Sequence, residues 1–177
     1  MFAALAVGAA ALAVAAYALA GGSGPGFNHL SATMSGYQEV PSISSTGTAS
    51  FTADVAKDGQ SVDWAMTYAN LEGNVTQSHI HFGQRSVIGG ISVFLCTNLA
   101  NGPAGTQLCP GPHDGAISGT FRPAQVIGPA GQGIAAGEWD ELMNAIDAGK
   151  AYANIHSNIW PGGEIRAQLN ETGDPHD

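Results

Sequence analysis

Three histidines in this chain are spaced so that they could bind a metal ion together. His79 and His81 are separated by one residue, and His156 follows in a second strand-like run, residues 150–156. Side chains alternate along a β-strand, so a His-x-His pair presents both imidazoles on one face. Three imidazoles that meet across a sheet can hold a transition metal. The spacing predicts a metal site at His79, His81 and His156, with copper as the first candidate and zinc as the second.

A structural role for the same histidines is the alternative hypothesis. The imidazoles would then hydrogen-bond to neighbouring strands or to residues such as Asn154 and Glu164. Glu164 and Arg166 lie two residues apart and should share a strand face. We expect them to form a local ion pair worth under about 1 kcal/mol. The alternative role for Arg166 is to guide anions toward a metal.

Other kinds of chemistry lack residues to carry them. The sequence shows no Ser/His/Asp arrangement, no paired catalytic carboxylates, no phosphate-cradling glycine loop and no reactive cysteine context, so no catalytic residue is predicted. The formal charge is −9, with fourteen acidic residues against the five bases Lys57, Arg85, Arg122, Lys150 and Arg166. This composition offers no basic patch for phosphates and argues against nucleic-acid partners.

Short alternating segments indicate the elements that must position the histidines. Period-two patterns bounded by Gly and Pro predict strands, at residues 27–35, 47–56, 61–70, 76–82, 90–95, 116–122, 150–156 and 163–169. One helical pattern covers residues 137–147, with apolar residues on one stripe and acids in the first turn. The sequence therefore predicts an all-β fold, an antiparallel β-sandwich or Greek-key barrel with one short helix.

Cys96 and Cys109 are the two cysteines of the chain, and the segment between them is rich in Gly, Pro and Asn. A pair that closes a short irregular loop in an exported protein predicts a disulfide worth about 3 kcal/mol. The alternative is a thiolate ligand beside the histidines.

The first twenty residues stand apart from the rest of the chain. Residues 2–20 are apolar and uncharged, and Ala18-x-Ala20 fits the cleavage site of a signal peptide, although the positive n-region is missing. The alternative is a retained hydrophobic helix that anchors the protein or packs against membrane-protein partners. Both interpretations place the rest of the chain outside the cytoplasm, in the periplasm, the extracellular space or at the cell surface. Residues 21–26 form a Gly-rich linker, residues 27–170 the β domain, and residues 171–177 a polar tail.

Five blocks in order resemble the chordin-type (CHRD) domain. They read LSATMSGYQEVP at 30–41, GTA at 47–49, SHIH at 78–81, AYANIH at 151–156 and PGGEIRAQL at 161–169. The resemblance covers roughly residues 27–170 and implies an all-β extracytoplasmic domain of the kind found in microbial exported proteins and in the developmental regulator chordin. It implies a fold and a location rather than a reaction.

A more distant likeness is to copper, zinc superoxide dismutase, an exported sandwich with a His-x-His and a later copper-binding histidine. It implies that His79, His81 and His156 stand at copper positions. The zinc histidines of that family have no counterpart, since the intervening loop offers only His113-Asp114. Two hypotheses follow. In the first, the protein is a binding or structural module that is anchored in the membrane as an accessory subunit of a larger membrane assembly. In the second, it is an exported copper or zinc protein.

Overall fold

The computed structural model describes residues 27–169. The expected N-terminal hydrophobic helix, the Gly-rich linker and the polar tail all lie outside the described residues. Within the described part no helix is long and apolar enough to cross a bilayer.

Eight strands and one α-helix make up the described chain, as the alternating segments predict. The strands are β1 (His29–Ser35), β2 (Thr48–Val55), β3 (Val62–Ala69), β4 (Val75–Phe82), β5 (Gly90–Thr97), β6 (Gly115–Phe121), β7 (Ala151–Ser157) and β8 (Ile165–Gln168), and the helix is α1 (Trp139–Asp147). Three single 3-10 turns lie in the connections, at Gly36–Gln38, Pro123–Gln125 and Ala130–Gln132.

The strands form one sheet in the order β5-β4-β7-β8-β1-β2-β3-β6, and every neighbouring pair is antiparallel. Hairpins join β1 to β2 to β3 and β4 to β5, whereas long connections bring β7 beside β4 and β6 beside β3. The two edges approach each other, because the side-chain amide of Gln107 donates to Leu95 O on β5 and Ser118 O on β6. The sheet is therefore rolled into a nearly closed barrel, which confirms the all-β antiparallel prediction.

Strands β2 and β3 show how sequence alternation becomes a core. Their residues are buried and accessible in turn, so that Phe51, Trp64 and Met66 point inward while the intervening residues face solvent. Each large apolar side chain buried in this way contributes roughly 1.5–3 kcal/mol. The helix α1 adds Leu142 and Ile146, which are fully buried, to the same core.

Strands β7 and β8 are different, because every residue of both is buried. Ala153, Ile155 and Ile165 supply the apolar face, and the alternate residues form a second, polar face that is also covered. The cover comes from the segment 83–89, whose carbonyl groups receive hydrogen bonds from side chains of β4 and β8. A buried polar face of this kind must satisfy its polar groups internally. It carries His156 and adjoins His79 and His81 on β4.

The disulfide between Cys96 and Cys109 is present, with the two Cα atoms 5.0 Å apart. It ties the end of β5 to the loop before β6 and closes a separation of 13 residues. No described cysteine is free, so the alternative of a thiolate ligand is wrong.

Candidate metal centre

The register of β4 against β7 brings the three histidines together. His79 faces Asn154, His81 faces Tyr152, and His156 faces Gln77 one step along the ladder. The ring centroids of His79 lie 4.9 Å from His156 and 5.3 Å from His81. One nitrogen of each imidazole lies within 4.8 Å of one nitrogen of each of the others, and all three residues are buried. The structure thus gathers the histidines that the sequence singles out.

Two backbone carbonyls fix the tautomers of two of these rings. Nδ1 of His81 lies 2.9 Å from Gly89 O, and Nδ1 of His156 lies 2.9 Å from Pro161 O. A carbonyl oxygen only accepts hydrogen bonds, so both Nδ1 atoms carry the proton and donate it. Nε2 of each ring is therefore the nitrogen that carries the lone pair, which is how protein environments prepare imidazoles as metal ligands.

His79 completes the set with a different nitrogen. Its Nδ1 lies 3.1 Å from His156 Nε2, and since the latter must accept, His79 Nδ1 donates in the metal-free protein. Nε2 of His79 and Nε2 of His81 are buried with no hydrogen-bond partner. An unpartnered buried polar atom costs about 1–3 kcal/mol. A cation bound by His81 Nε2 would remove one of these deficits.

The spacing of the nitrogens suits one shared ion. Metal–nitrogen bonds of about 2.0–2.1 Å in a tetrahedral arrangement place ligand nitrogens roughly 3.3–3.4 Å apart. The His79–His156 separation is 3.1 Å, and the widest separation in the set is 4.8 Å. The set would close by up to about 1.5 Å around a metal, and His79 would give up its Nδ1 proton. The donors therefore fit a metal centre with three histidine ligands.

Burial keeps the three imidazoles neutral at physiological pH. Desolvation, with repulsion from His156 and His81, lowers the pKa of His79 to about 2. Desolvation also lowers the pKa of His81 to about 4, against a hydrogen bond to Gly89 that raises it. The pKa of His156 is lowered for the same main reason, burial. Neutral imidazole is the form that binds metals, so the rings compete little with protons above about pH 6.5.

Aromatic rings and a glycine hold the pair on β4 in position. Phe94 packs edge-on against His79 with centroids 4.3 Å apart, and Tyr152 stacks on His81 at 4.7 Å with the planes 3° from parallel. A Cβ atom on Gly89 would lie 1.8 Å from Phe82 O. Only glycine lets the covering segment come close enough for its carbonyl to reach His81.

Glu164 and Arg166 do not form the predicted local ion pair. The Glu164 carboxylate accepts hydrogen bonds from Ser45 Oγ and from the backbone N–H of Glu72, where it organises the turn after β3. Arg166 instead lies flat over the Tyr152 ring, with Cζ 3.4 Å from the centroid, and donates to backbone carbonyls of segment 83–89. The hydrogen-bond partners of both side chains lie far away in the sequence. The spacing of two residues along one strand therefore could not indicate them.

Sequence reasoning missed a buried carboxyl beside this site. Glu39 follows the first 3-10 turn, and Asn154 lies close enough to Glu39 and His81 to influence the pKa of both. Desolvation raises the pKa of Glu39 to about 7, against the attraction of Arg166, which lowers it. The sequence could have indicated Tyr152 and Asn154 as site residues, since the two-residue period of the strand places them on the same face as His156. Nothing in the sequence around Glu39 indicates that it lies near the site.

His113 and Asp114 take no part in the cluster. His113 Nδ1 donates to Leu71 O, and the Asp114 carboxylate accepts from Asn70 N. Both contacts tie the segment before β6 to the turn between β3 and β4. The dinuclear arrangement of copper, zinc superoxide dismutase therefore has no counterpart among the described residues.

The family of the chain is shown by one comparison. The CHRD domain family model matches residues 30–169, which is most of the chain and contains all three histidines. Comparison with curated proteins gave no match, and neither did comparison with solved structures. The disulfide is typical of exported proteins, in keeping with an extracellular binding or structural module. With this fold, these sequence blocks and this match, the chain belongs to the CHRD domain family.

Proposed function

We propose that this CHRD domain is an exported binding module that holds one transition-metal ion at His79, His81 and His156, with copper preferred and zinc second. The observation that carries the proposal is the convergence of three buried imidazoles whose nitrogens lie within 4.8 Å of one another. Imidazole suits both metals, and copper binds the more tightly at a given nitrogen site.

The hydrogen bonds around the rings support this proposal over a purely structural role. All three Nδ1 atoms have hydrogen-bond partners, but Nε2 of His79 and of His81 have none, a cost that a purely structural cluster would leave uncompensated. The carbonyls of Gly89 and Pro161 instead point two Nε2 lone pairs inward. Such outer hydrogen bonds orient metal ligands and raise their basicity.

Three protein ligands leave a coordination position for water or a small molecule. His81 and His156 are each 6 % exposed, so the centre lies just under the surface. When bound, copper would supply one-electron chemistry, and the chain itself would hold the imidazoles, exclude bulk water through segment 83–89 and limit what reaches the ion. Storage or delivery of copper, or reaction with oxygen species outside the cytoplasm, are the roles that such a centre serves.

Metal content of protein purified without an affinity tag tests the proposal. We expect about one equivalent of copper per chain after reconstitution and dialysis, with the spectrum of a nitrogen-ligated Cu(II) site. His81→Ala should reduce occupancy at least tenfold, because two ligands hold copper far less tightly than three.

His29→Gln is the matched control, since His29 is an exposed histidine that is bonded to Asp54 and lies on β1, away from the strands of the cluster. It should bind copper as the unaltered chain does. Equal loss in the two variants, or no bound metal at pH 7.5 in the unaltered chain, would refute a site at the three histidines.

We also propose that residues 2–20 hold the domain at the membrane as a retained helix, where membrane-protein partners can pack against its small side chains. The uncharged apolar composition supports this. Intact mass of the native protein tests it: retention of residues 2–20 and co-purification with the membrane fraction are expected, whereas cleavage after Ala20 would show a signal peptide instead.

A further inference from the structure

A cavity that belongs to no part of the metal proposal lies beside the residues that surround the histidine cluster. Its volume is about 150 Å³, and the residues that line it include Arg85, Arg166, Glu39, Tyr37 and Gln168. At roughly 30 Å³ for each water-sized group, the cavity has room for a molecule of about four or five heavy atoms.

Positive charge is concentrated at this cavity. The whole chain has five basic residues and a formal charge of −9, yet two of the five line the same small space. Burial lowers the pKa of Arg166, and attraction to Tyr152 and Glu39 raises it. The smallest effect is repulsion from Arg85, which lowers this pKa and shows that the two guanidinium groups lie near each other. A negatively charged group between them would relieve this repulsion.

Arg166 is held as a fixed cation rather than neutralised. It is 2 % exposed, and its hydrogen bonds go to the uncharged oxygens Gln84 O, Val87 O and Gln168 Oε1. A guanidinium has five N–H donors, so these bonds leave donors available. A buried charge is costly unless its surroundings supply acceptors or an opposite charge, and the opposite charge in this cavity is Glu39.

The wall of the cavity also holds an acceptor that lacks a donor. Glu39 is 7 % exposed, and its Oε1 has no hydrogen-bond partner. The carboxyl lies directly over Gly163, where a Cβ atom would approach Oε1 to 2.4 Å, so a glycine is needed to seat it. Arg166 attracts Glu39 through space without forming a hydrogen bond to Oε1.

We propose that this cavity binds a small monoanionic oxyacid that retains an O–H hydrogen, of which hydrogen carbonate is the simplest example. Its anionic oxygens accept from the guanidinium side, and its hydroxyl donates to Glu39 Oε1. A plain anion would satisfy the arginines and leave the carboxyl unpartnered. The site is separate from the three histidines and does not depend on a bound metal.

The test uses the full chain, freed of metal by chelator and dialysis, at pH 8. Carbon-13-labelled hydrogen carbonate is titrated against the protein, and line width and shift are followed by NMR. We expect saturable binding in the millimolar range, at least tenfold tighter than binding of labelled formate, which has no O–H. Equal binding of the two anions, or no saturation, would overturn the proposal.

Three variants separate this site from general charge effects. Arg85→Gln should weaken hydrogen carbonate at least tenfold, whereas Lys57→Gln, which removes an exposed charge from the β2–β3 turn, should not. Glu39→Leu removes both the unpartnered acceptor and its negative charge, so the preference for hydrogen carbonate over formate should disappear even if both anions change in affinity.

Two results of these variants would contradict the site. Equal losses in Arg85→Gln and Lys57→Gln would mean that only overall charge matters. Binding that appears only after copper is restored would place the anion on the metal and not in this cavity. Because the titration uses metal-free protein, absence of copper binding leaves its result unaffected.

Discussion

At the scale of single residues, hydrogen-bond partners decide what the histidines can do. A carbonyl opposite Nδ1 leaves Nε2 with a lone pair, and this happens at both His81 and His156. His79 differs, because its Nδ1 is directed at His156 Nε2. His81 and His156 thus direct Nε2 into the cluster, whereas His79 directs Nδ1 into it.

Gly89 is the residue on which the orientation of His81 depends. In Gly89→Ala the new Cβ would lie 1.8 Å from Phe82 O, so backbone must move. We expect the metal-free protein to lose about 3 kcal/mol of its free energy of unfolding, measured in urea, because overpacking against backbone cannot be relieved by a rotamer change.

Gly131→Ala is the matched control for this change. A Cβ at Gly131 meets nothing within 4 Å, and its φ is not in the left-handed region. That substitution should be neutral or slightly stabilising, since it lowers the entropy of the unfolded chain. Similar urea midpoints for the two variants would show that the close approach at Gly89 is unimportant.

At the scale of elements, β7 and β8 serve the site and the core at once. One face carries Ala153, Ile155 and Ile165 into the apolar core, and the other carries Tyr152, Asn154 and Arg166 under segment 83–89. Because both faces are covered, their polar side chains find protein partners instead of water. The rigid central strands thus position the polar groups around the histidines.

The disulfide stabilises an edge of the barrel rather than the site. It joins β5 to the loop that contains Gln107, the residue that bridges the two edge strands. Replacing Cys96 and Cys109 together by alanine should lower the free energy of unfolding by about 3 kcal/mol, through the greater freedom of the unfolded chain.

Thermal or urea unfolding with and without a reductant measures this effect. The unaltered chain should lose stability when reduced, and the double variant should not respond to the reductant. Copper binding of the variant should stay within about twofold, since Cys96 pairs across the sheet with Ser78 rather than with a histidine. A large loss of copper with unchanged stability would contradict this division of roles.

At the scale of the whole molecule, buried titratable groups link stability to pH. The pKa values of His79, His81 and His156 are all lowered on folding from 6.5, so below that pH the unfolded chain binds protons that the folded chain does not. Glu39 acts in the opposite direction, because its pKa is raised from 4.5 to about 7 and the folded chain holds its proton. The unfolded state therefore binds more protons than the folded state below about pH 6.5, and the difference grows to as many as about two protons near pH 5, three from histidines less one from Glu39.

We expect the free energy of unfolding of the metal-free protein to fall more and more steeply as pH drops from about 6.5, reaching about 3 kcal/mol per pH unit near pH 5, at about 1.4 kcal/mol per proton. Urea midpoints at pH 7, 6 and 5 measure this slope. His81→Gln should halve it by removing one of the two net protons. A stability that is constant or rises over this range would show that the histidines are not buried as neutral groups.

The sequence by itself determined the elements, because hydrophobic alternation and Gly/Pro turns are local properties. The eight strands and the helix lie within two residues of their predicted ends. The shared face of His79 and His81 follows from the two-residue period, and the pairing of Cys96 with Cys109 follows from there being no other cysteine.

The tertiary structure alone decided which partners these residues meet. The strand order brought His156 beside the pair on β4, and the covering segment supplied the carbonyl of Gly89. It also separated Glu164 from Arg166 and placed Glu39 beside Asn154, contacts that join positions far apart in the chain. Strand register and loop placement depend on how the whole sheet closes, so no local pattern could indicate the nitrogen tautomers or the cavity that Arg166 lines.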